Sequence, residues 1–391
     1  MLWNIITFVL FIVGFPLLIY GADSLVKGAS RLAVAWGVSA LAVGLTVVAY
    51  GTSMPELAVT VLAVWNDTGD AVTASGAADI AVGNVVGSNI ANILLVLGAS
   101  AVVAPLIVSR EALRRSLPLM IFISFLVLAF AWDFSGDGRS VITWWQGLIL
   151  VAGVFAYTAR AVMRGRAEKK LQREQAEEIE EEFGQLGEGR WAWAIEVGRI
   201  VIGLVCLIAG GKFLVNGAVQ VAEWLDVSEL VISLTIVAIG TSLPEVATCV
   251  MAVLRGHRDL AVGNAVGSNI FNILLVLGSC SVVAPGGGVP VNELAMARDI
   301  PFMLIVALLT LPVFYTGYII ARWEGWMFLG LYAAYTIYLI LRANDPPDEG
   351  GSGGELFALV MIGIVAMIFL IVLTQSGMQL LQQRRAESAG K

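Results

Sequence analysis

Two glutamates stand inside apolar segments of the chain in almost the same local sequence. Glu56 lies within "VVAYGTSMPELAVTVLAV", residues 47–64, and Glu245 lies within "IVAIGTSLPEVATCVMAV", residues 236–253. A carboxylate near the centre of a membrane span is unfavourable by several kcal/mol unless it faces a cavity or a partner. The two positions therefore predict a polar site at mid-membrane depth.

Each glutamate follows a proline, Pro55 or Pro244. Proline cannot donate a backbone hydrogen bond and clashes with the preceding turn, so we expect both helices to break here. Non-helical backbone at this depth is tolerated only where it lines a cavity or is buried in protein. The breaks are expected to leave four carbonyls partly unpaired: those of Ala49, Thr52, Ala238 and Thr241.

Free carbonyls beside hydroxyls and a carboxylate form a cage suited to a hard cation. Calcium prefers about six to eight oxygen ligands from carboxylates, carbonyls and water. Two carboxylates neutralise one divalent ion, and Thr52 and Glu56, four residues apart, share a face where the turn stays near-helical. One Pro-Glu pair alone also fits a kink that hides its carboxylate in a polar crevice. The recurrence in a second copy favours the cage.

A second block also recurs, because residues 81–105 and 261–285 differ at only five of 25 positions. In this block Ser88 and Asn92 are one helical turn apart, and they recur as Ser268 and Asn272. Hydroxyl and amide oxygens are good neutral ligands for a small cation, so these four side chains are candidates for the same cage.

Other polar and small residues of this block have plainer roles. Asn84 and Asn89, with their repeats Asn264 and Asn269, are expected to satisfy broken-helix backbone rather than to coordinate an ion. The glycine pairs in GNVVG and GNAVG have the spacing that permits close helix contact. Lys212, within the sixth apolar segment, is expected to extend its ammonium group to the membrane interface.

The composition is that of a polytopic membrane protein. Of the 391 residues, 58% are hydrophobic and 14% are charged, whereas about a quarter are charged in a typical soluble domain. A run of about 20 apolar residues spans a bilayer as a helix. No basic residue precedes Lys27, so the first run is expected to be a retained span rather than a cleaved signal peptide. The candidate spans are 3–22, 38–64, 79–102, 109–131, 142–163, 195–221, 228–254, 260–284, 299–320, 324–342 and 355–376.

The basic residues orient the spans, since Lys and Arg accumulate on the cytoplasmic side. With the N-terminus outside and the C-terminus in the cytoplasm, only Arg139, Arg298 and Arg342 fall outside. Five spans separate the two copies of the repeat, and an odd number makes the second copy enter the membrane from the opposite side. Inverted repeats of this kind are typical of secondary transporters, with substrate sites where the repeats meet near the midplane.

The predicted fold class is thus an all-α polytopic membrane protein with two inverted five-helix repeats, ten core helices and an extra C-terminal helix. The loop "AEKKLQREQAEEIEEEFG" lacks the spacing of a calcium-binding loop and is expected to be a solvated, mixed-charge segment. The predicted divisions are a first repeat at 1–163, a cytoplasmic acidic loop at 164–194, a second repeat at 195–342, a linker at 343–354, and a last helix with a cytoplasmic tail at 355–391.

Several function classes are excluded by what the sequence lacks. Cys206, Cys249 and Cys280 are scattered without metal-type spacing, and His257 is the only histidine, which argues against a zinc or haem site and against disulfides. The serines lack a histidine partner, there is no nucleotide-binding loop, and the net charge of −7 argues against nucleic acid. We therefore expect neither an enzyme nor a cofactor. The expected partners are the transported ions and the lipid bilayer, and the sequence does not specify an oligomeric state.

The two motif pairs, GTSMPE with GTSLPE and GNVVGSNIAN with GNAVGSNIFN, resemble the α-repeats of the cation/calcium antiporter superfamily, specifically its prokaryotic sodium/calcium exchangers. The resemblance covers roughly the first 340 residues. It implies exchange of sodium for calcium across the plasma or inner membrane by alternating access, in which the first and sixth helices slide.

The resemblance also implies ligand roles. Glu56 and Glu245 would bind calcium, helped by the carbonyls of Thr52 and Thr241. The side chains of Ser53, Ser242, Ser88 and Ser268, with the carbonyls of Ala49 and Ala238, would complete overlapping sodium sites. Asn92 and Asn272 would line the central position.

Asn272 departs from the pattern, because several prokaryotic exchangers and the potassium-dependent branch carry Asp there. Its absence speaks against potassium co-transport and keeps a proton/calcium antiporter as the alternative. The proton-coupled branch, however, usually has Gly-Asn rather than Gly-Thr-Ser before its Glu, which favours sodium. A cation channel could use the same carboxylates, but paired inverted halves around one buried site suit alternating access better. A scaffold that no longer transports is disfavoured by the retained cage residues.

Overall fold

The computed structural model describes most of the chain. The described residues are 2–65, 71–132, 140–165, 191–225, 238–315, 317–343, 361–366 and 368–375, with the single residues 179, 232, 236 and 377. Most of the acidic loop at 164–194 and the whole of the linker at 343–354, apart from residue 343, lie outside this set, so the predictions made for them stay predictions.

Helices account for nearly all of the described structure. In the first half they are α1 Leu2–Trp36, α2 Ala40–Val43, α3 Ala49–Thr52, α4 Met54–Trp65, α5 Ala71–Ala91, α6 Gly98–Val103, α7 Leu117–Ala131 and α8 Trp144–Gly165. In the second half they are α9 Ala192–Trp224, α10 Ala238–Thr241, α11 Leu243–Leu254, α12 Arg258–Phe271, α13 Gly278–Val283, α14 Ile300–Tyr315 and α15 Arg322–Ala343.

Short π-helical segments interrupt several spans at corresponding places in the two halves. They are π1 Gly44–Val48, π2 Asn92–Leu97, π3 Ala112–Ser116, π4 Asn272–Leu277 and π5 Ala295–Asp299. Segments π2 and π4 have the same sequence, NILLVL, and both begin at a predicted ligand. Single π-helical turns inside α-helices occur frequently at functional sites.

The described residues contain eight helices long and apolar enough to span a membrane, and a bent pair that brings the total to nine. The apolar helix Leu243–Leu254 is shorter because its span breaks at Ser242, and further apolar helical residues are described at 361–366 and 368–375. The predicted all-α polytopic fold is confirmed.

The predicted end of the first span at residue 22 was wrong, since α1 continues to Trp36. The charges that end the apolar run are paired. Asp23 lies 2.7 Å from Lys27 and 2.6 Å from Arg255, and Arg31 lies 3.0 Å from Glu196. Pairing removes the penalty that isolated charges would carry, so the helix extends beyond its apolar part.

The long helices α1 and α9 pack against each other in antiparallel directions through glycines seven residues apart. A Cβ placed on Gly14 would lie 3.0 Å from the carbonyl oxygen of Gly210, and one on Gly21 would lie 2.8 Å from that of Gly203. The pairing is reciprocal, since Gly203 and Gly210 meet the carbonyls of Gly21 and Gly14. Small residues at a helix interface allow such close backbone approach in a membrane.

Two small antiparallel sheets join loops from different halves. Strands β1 Leu106–Ile107 and β4 Ile319–Ile320 pair with each other, as do β2 Val141–Thr143 and β3 Gly288–Pro290. In the predicted topology the loops of each pair lie on the same side of the membrane. The pairing therefore agrees with the parity of an inverted repeat.

Candidate cation-binding site

Both glutamates lie at helix breaks in the protein interior. Helix α3 ends at Thr52 and α4 begins at Met54, with a bend of 42° between the two halves of the span. Ser53 and Ser242 occupy the two breaks with nearly the same backbone, φ −84° and ψ 2° against φ −90° and ψ 1°. This sparsely allowed region is common among active-site residues. The predicted interruptions beside Pro55 and Pro244 are confirmed.

The carboxylates are almost fully removed from the surface, with Glu56 3% and Glu245 2% exposed. The helix that carries each glutamate packs against the other repeat, since α4 contacts π4 and α11 contacts π2. Burying two like charges together is strongly unfavourable without a compensating partner. A cation between them, or protons on them, supplies that compensation.

Thr52 connects the first half of the site to the second. Its hydroxyl oxygen lies 3.3 Å from Asn264 Oδ1 and 3.4 Å from Ser268 Oγ. The two repeats therefore meet at the predicted ligands, as an inverted-repeat transporter requires.

Oxygen atoms without a recorded hydrogen-bond partner are arranged in matching sets in the two halves. Among the described residues, the buried side-chain oxygens of this kind at the predicted site are Ser53 Oγ, Glu56 Oε2 and Asn92 Oδ1 in the first half, and Ser242 Oγ, Glu245 Oε2 and Asn272 Oδ1 in the second. Buried polar atoms are normally hydrogen-bonded, so unpaired ones call for a specific explanation. Six such oxygens of the right chemical type fit a site for hard cations.

The remaining predicted side chains are placed as follows. Ser88 and Ser268 are buried on α5 and α12, and Thr241 lies half-buried at the end of α10. The backbone of Ala238 begins α10. In the part of the chain that the structure describes, no group of three or more His, Cys, Asp and Glu side chains could hold a metal ion. The site thus offers two carboxylates and neutral oxygens.

The expectation that the Ala49 carbonyl is unpaired was wrong. It accepts hydrogen bonds from the Ser53 amide at 3.1 Å and from the Thr52 hydroxyl at 3.4 Å. The helix bends at Ser53 while keeping this bond. Proline removes the amide at position 55, and the amide of residue 53 is still available to Ala49.

Asparagines next to the site partly follow their predicted roles. Asn89 donates to the backbone carbonyl of Asn269 at 3.4 Å, as expected for a residue that satisfies backbone. Asn84 instead donates to the Thr60 hydroxyl at 2.7 Å, and Thr60 donates to the carbonyl oxygen of Glu56 at 2.5 Å. Asn84 therefore supports Glu56 through a side chain that the sequence analysis did not single out.

The second half has different atoms and a different acceptor at the places of Asn84 and Thr60. Asn264 donates to the sulfur of Cys249 at 3.2 Å, and Cys249 donates to the carbonyl of Ala261 at 3.4 Å. Thr60 and Cys249 each lie four residues after their glutamate, and that helical spacing was the available signal. Thr248 beside them is fully buried, with a hydroxyl that has no recorded partner among the described residues.

The glycine pair of the second copy has its predicted packing role. Cβ atoms on Gly263 and Gly267 would lie 2.9 Å from the carbonyl oxygens of Leu41 and Leu45. Helix α12 thus lies directly against π1, the turn that leads into the break at Ser53. Lys212 is exposed, as expected for a side chain that reaches the interface.

Comparisons with known proteins agree with this arrangement. The family model for sodium/calcium exchanger proteins matches residues 6–163 and 195–341. The sodium/calcium exchanger MaX1 of Methanosarcina acetivorans is 32% identical over 312 residues, which is 74% of this chain and 85% of MaX1. The inner membrane protein YrbG of Escherichia coli is 35% identical over 66% of this chain and 73% of its own length.

The fold is also similar to a solved structure. The sodium-calcium exchanger NCX_Mj superposes with a TM-score of 0.68 at 30% sequence identity, over 84% of this chain and 97% of that one. The correspondence includes both inverted repeats, because it covers nearly the whole of the solved protein.

Proposed function

The chain belongs to the sodium/calcium exchanger protein family, and we propose that it exchanges sodium for calcium at the site between Glu56 and Glu245. The family consists of membrane exchangers that carry cations in exchange for calcium. The coupling to sodium in this chain is our proposal. It is supported by MaX1, whose name states sodium/calcium exchange, and by NCX_Mj, which has been solved with sodium, calcium and strontium soaks.

The observation that carries the proposal is the matching set of unpartnered buried oxygens around two carboxylates. Glu56 and Glu245 hold calcium, with the carbonyls of Thr52 and Thr241 as further ligands. Sodium takes overlapping positions formed by Ser53, Ser242, Ser88 and Ser268 with the carbonyls of Ala49 and Ala238, and Asn92 and Asn272 line the centre. Because the two ions share ligands, occupancy by one excludes the other, which is the requirement for exchange.

Access to the site alternates as α1 and α9 slide together along the rest of the bundle. Their glycine-lined contact holds the two helices together as one unit. Asp23 of α1 contacts Arg255 at the end of α11 across 2.6 Å, so sliding breaks this ion pair. The protein is placed in the plasma or inner membrane with its N-terminus outside and its C-terminus in the cytoplasm, as the distribution of basic residues favours.

Proton/calcium exchange is the second candidate, and one feature favours it. Asn272 leaves Glu56 and Glu245 as the two titratable carboxylates of the described site, and two protons would neutralise both when calcium leaves. The Gly-Thr-Ser sequences before both glutamates favour sodium, because their serine hydroxyls remain without hydrogen-bond partners among the described residues. These neutral oxygens give sodium ligands beside the two carboxylates, and they would serve calcium alone in a proton-coupled cycle.

The test is calcium uptake into proteoliposomes that hold the full chain at a clamped membrane potential. One set of vesicles carries an outward sodium gradient at equal pH, and the other carries a pH gradient without sodium. Uptake with the sodium gradient alone is the expected result. Uptake with the proton gradient alone would assign the site to proton coupling. If neither gradient drives uptake, calcium is not the substrate.

A further inference from the structure

A cavity of about 570 Å³ opens on the membrane-facing side of the first repeat, away from the cation site. It lies between the second, fourth and fifth spans. Its walls are mostly apolar, and they include Leu41, Leu45, Leu119, Ile123 and Leu150. Phe122 and Ile149 at its rim are 60% and 50% exposed, so the cavity is open to the hydrocarbon region of the bilayer.

One end of this crevice is basic. Arg115 and Arg160 line it together with Glu111 and Tyr157. Arg115 is half-exposed and contacts Glu111 at 3.4 Å, a distance that leaves its guanidinium group available to another anion. Two guanidinium groups and one carboxylate give this end a net positive charge, directly above apolar walls.

In the described part of the second repeat, the walls that correspond to the fourth and fifth spans are in contact with each other. Pro118 and Met120 recur as Pro301 and Met303, which aligns Leu119 with Phe302. Around the other wall, Tyr157 recurs as Tyr335. Phe302 stacks on Tyr335 with ring centres 4.6 Å apart and an interplanar angle of 12°, so an aromatic ring occupies the volume that stays open beside Leu119.

The charged residues at the two corresponding places also differ between the repeats. Arg115 recurs as Arg298, which is held by Asp299 through two contacts of 2.6 and 3.0 Å and lies over the ring of Tyr338. Tyr338 stands where the first repeat has Arg160. Between its described ninth and tenth spans the second repeat therefore has stacked rings and a neutralised arginine, whereas the first repeat has an open crevice with two arginines at its mouth.

We propose that the open crevice binds one anionic phospholipid, with an acyl chain between the second, fourth and fifth spans and the phosphate at Arg115 and Arg160. Basic pockets between membrane helices recognise lipid phosphate in this way. Charge complementarity selects an anionic lipid over a zwitterionic one, and the apolar walls select a lipid over a soluble phosphate. The leaflet follows from the orientation given above, which places both arginines at the cytoplasmic surface.

A lipid in this crevice contacts the outer wall of the cation site. The Tyr157 hydroxyl donates to the carbonyl of Leu45 at 3.3 Å, within π1. Tyr157 also packs edge-on against Phe271, the residue before the ligand Asn272. The bound lipid thus supports the two turns that lead to the ligands of both halves.

Native mass spectrometry of the delipidated full chain in detergent tests the site directly, with palmitoyl-oleoyl phosphatidylglycerol and the matching phosphatidylcholine as probes. We expect one phosphatidylglycerol to be retained about tenfold more strongly than phosphatidylcholine. The double variant Arg115→Gln/Arg160→Gln should lose this preference. Leu119→Phe, which places the aromatic ring of the second repeat in the cavity, should lose the bound lipid without any change of charge. Arg114→Gln is the matched control, because Arg114 is an exposed neighbour outside the crevice.

Three results would overturn the site: equal retention of the two lipids by the unaltered chain, loss of binding in Arg114→Gln as large as in the double variant, or wild-type retention in both the double variant and Leu119→Phe. Displacement of the lipid by soluble glycerol phosphate would show a simple anion site instead. These readouts do not depend on transport, so a failed exchange assay and a failed lipid site are distinguished.

A transport assay tests the coupling of the lipid to the cation site. Phosphatidylglycerol should accelerate calcium uptake several-fold in the unaltered chain and less in Leu119→Phe. Equal acceleration in both would show that the lipid in the crevice does not act on the cation site.

Discussion

The two halves of the cation site are nearly identical where they face the ion and differ where they face the rest of the protein. Both halves present a serine at the helix break, a glutamate, and an asparagine at the start of a π-helical segment. One layer further out, Thr60 and Asn84 support Glu56, whereas Cys249 and Asn264 occupy those places beside Glu245.

The ends of α1 and α9 differ as well. Arg31 and Glu196 form a buried ion pair at one end, while the corresponding residues of the inverted copies, Gln220 and Thr7, carry no charge. The lipid-facing crevice is open in the first half, whereas stacked rings join the corresponding described walls of the second half. Residues that share one ion must stay matched, because each supplies half of the same coordination. Residues that face opposite sides of the membrane meet different surroundings and are free to diverge.

The largest expected effect comes from removing either carboxylate. Glu56→Gln and Glu245→Gln should each lower calcium uptake by about 100-fold or more, because removing one partner from a buried charge site costs about 3–5 kcal/mol. If the halves are equivalent at the ion, the two losses should be of similar size. Uptake in sodium-loaded proteoliposomes is the measurement.

Both variants keep the side-chain shape, so they should insert and elute as the unaltered chain does on size exclusion. Wild-type uptake in either would refute its assignment as a ligand. A full loss in one and a small loss in the other would mean that calcium is held mainly by one repeat.

Adding a charge tests the centre of the site. Asn272→Asp introduces a third carboxylate beside Glu56 and Glu245, so a further monovalent cation is needed to neutralise the site. We expect the half-saturating sodium concentration to fall by about tenfold or more, because the added carboxylate attracts a cation and an uncompensated buried charge costs about 3–5 kcal/mol. Calcium affinity should change less. Asn92→Asp is the mirror variant, and sodium and pH profiles that stay unchanged in both would place the two asparagines outside the ion path.

The serines at the two breaks should have a smaller effect. Ser53→Ala and Ser242→Ala each remove one neutral oxygen, and we expect the half-saturating sodium concentration to rise about three- to tenfold, the range of one hydrogen-bond-sized contribution. Ser100→Ala is the control, since Ser100 is also buried without a recorded partner among the described residues but lies outside the site. An equal shift in the control would point to a general packing effect.

Much of this site could be predicted from the sequence because the chain contains it twice. The pair of Pro-Glu motifs predicted the helix breaks and the two carboxylates. The apolar runs between the two copies predicted the odd number of spans. The end of α1 could not be predicted, since Arg255, the second partner of Asp23, and Glu196, the partner of Arg31, lie 232 and 165 residues away in sequence. By hydropathy alone, these charged residues mark the end of the span. Only the contacts in the folded protein show that the helix continues through them.

The hydrogen bonds around the predicted ligands could not be predicted from the sequence either. Proline at position 55 indicates a break but does not specify that the Ala49 carbonyl keeps its bond to Ser53. The crevice could be recognised only by comparing Leu119 with Phe302. That comparison is informative only because the structure shows Tyr157 and Tyr335 opposite these two residues. Shape differences between repeats arise from packing across several helices, and a single apolar substitution carries no such information in sequence.

The smallest expected effect concerns the supporting layer, where the halves differ most. Thr60→Cys gives the first half the atom found in the second, and it removes the hydroxyl that links Asn84 to the Glu56 carbonyl. One such hydrogen bond contributes about 0.5–1.5 kcal/mol. Because it acts on the ligand only through the Glu56 backbone, only part of it reaches calcium, and calcium affinity should fall about two- to fivefold. The reciprocal Cys249→Thr should stay within about twofold of the unaltered chain, since a threonine hydroxyl can accept from Asn264 as the sulfur does. A larger loss from Cys249→Thr than from Thr60→Cys would show that the sulfur is required, and that the halves differ at the ion as well as around it.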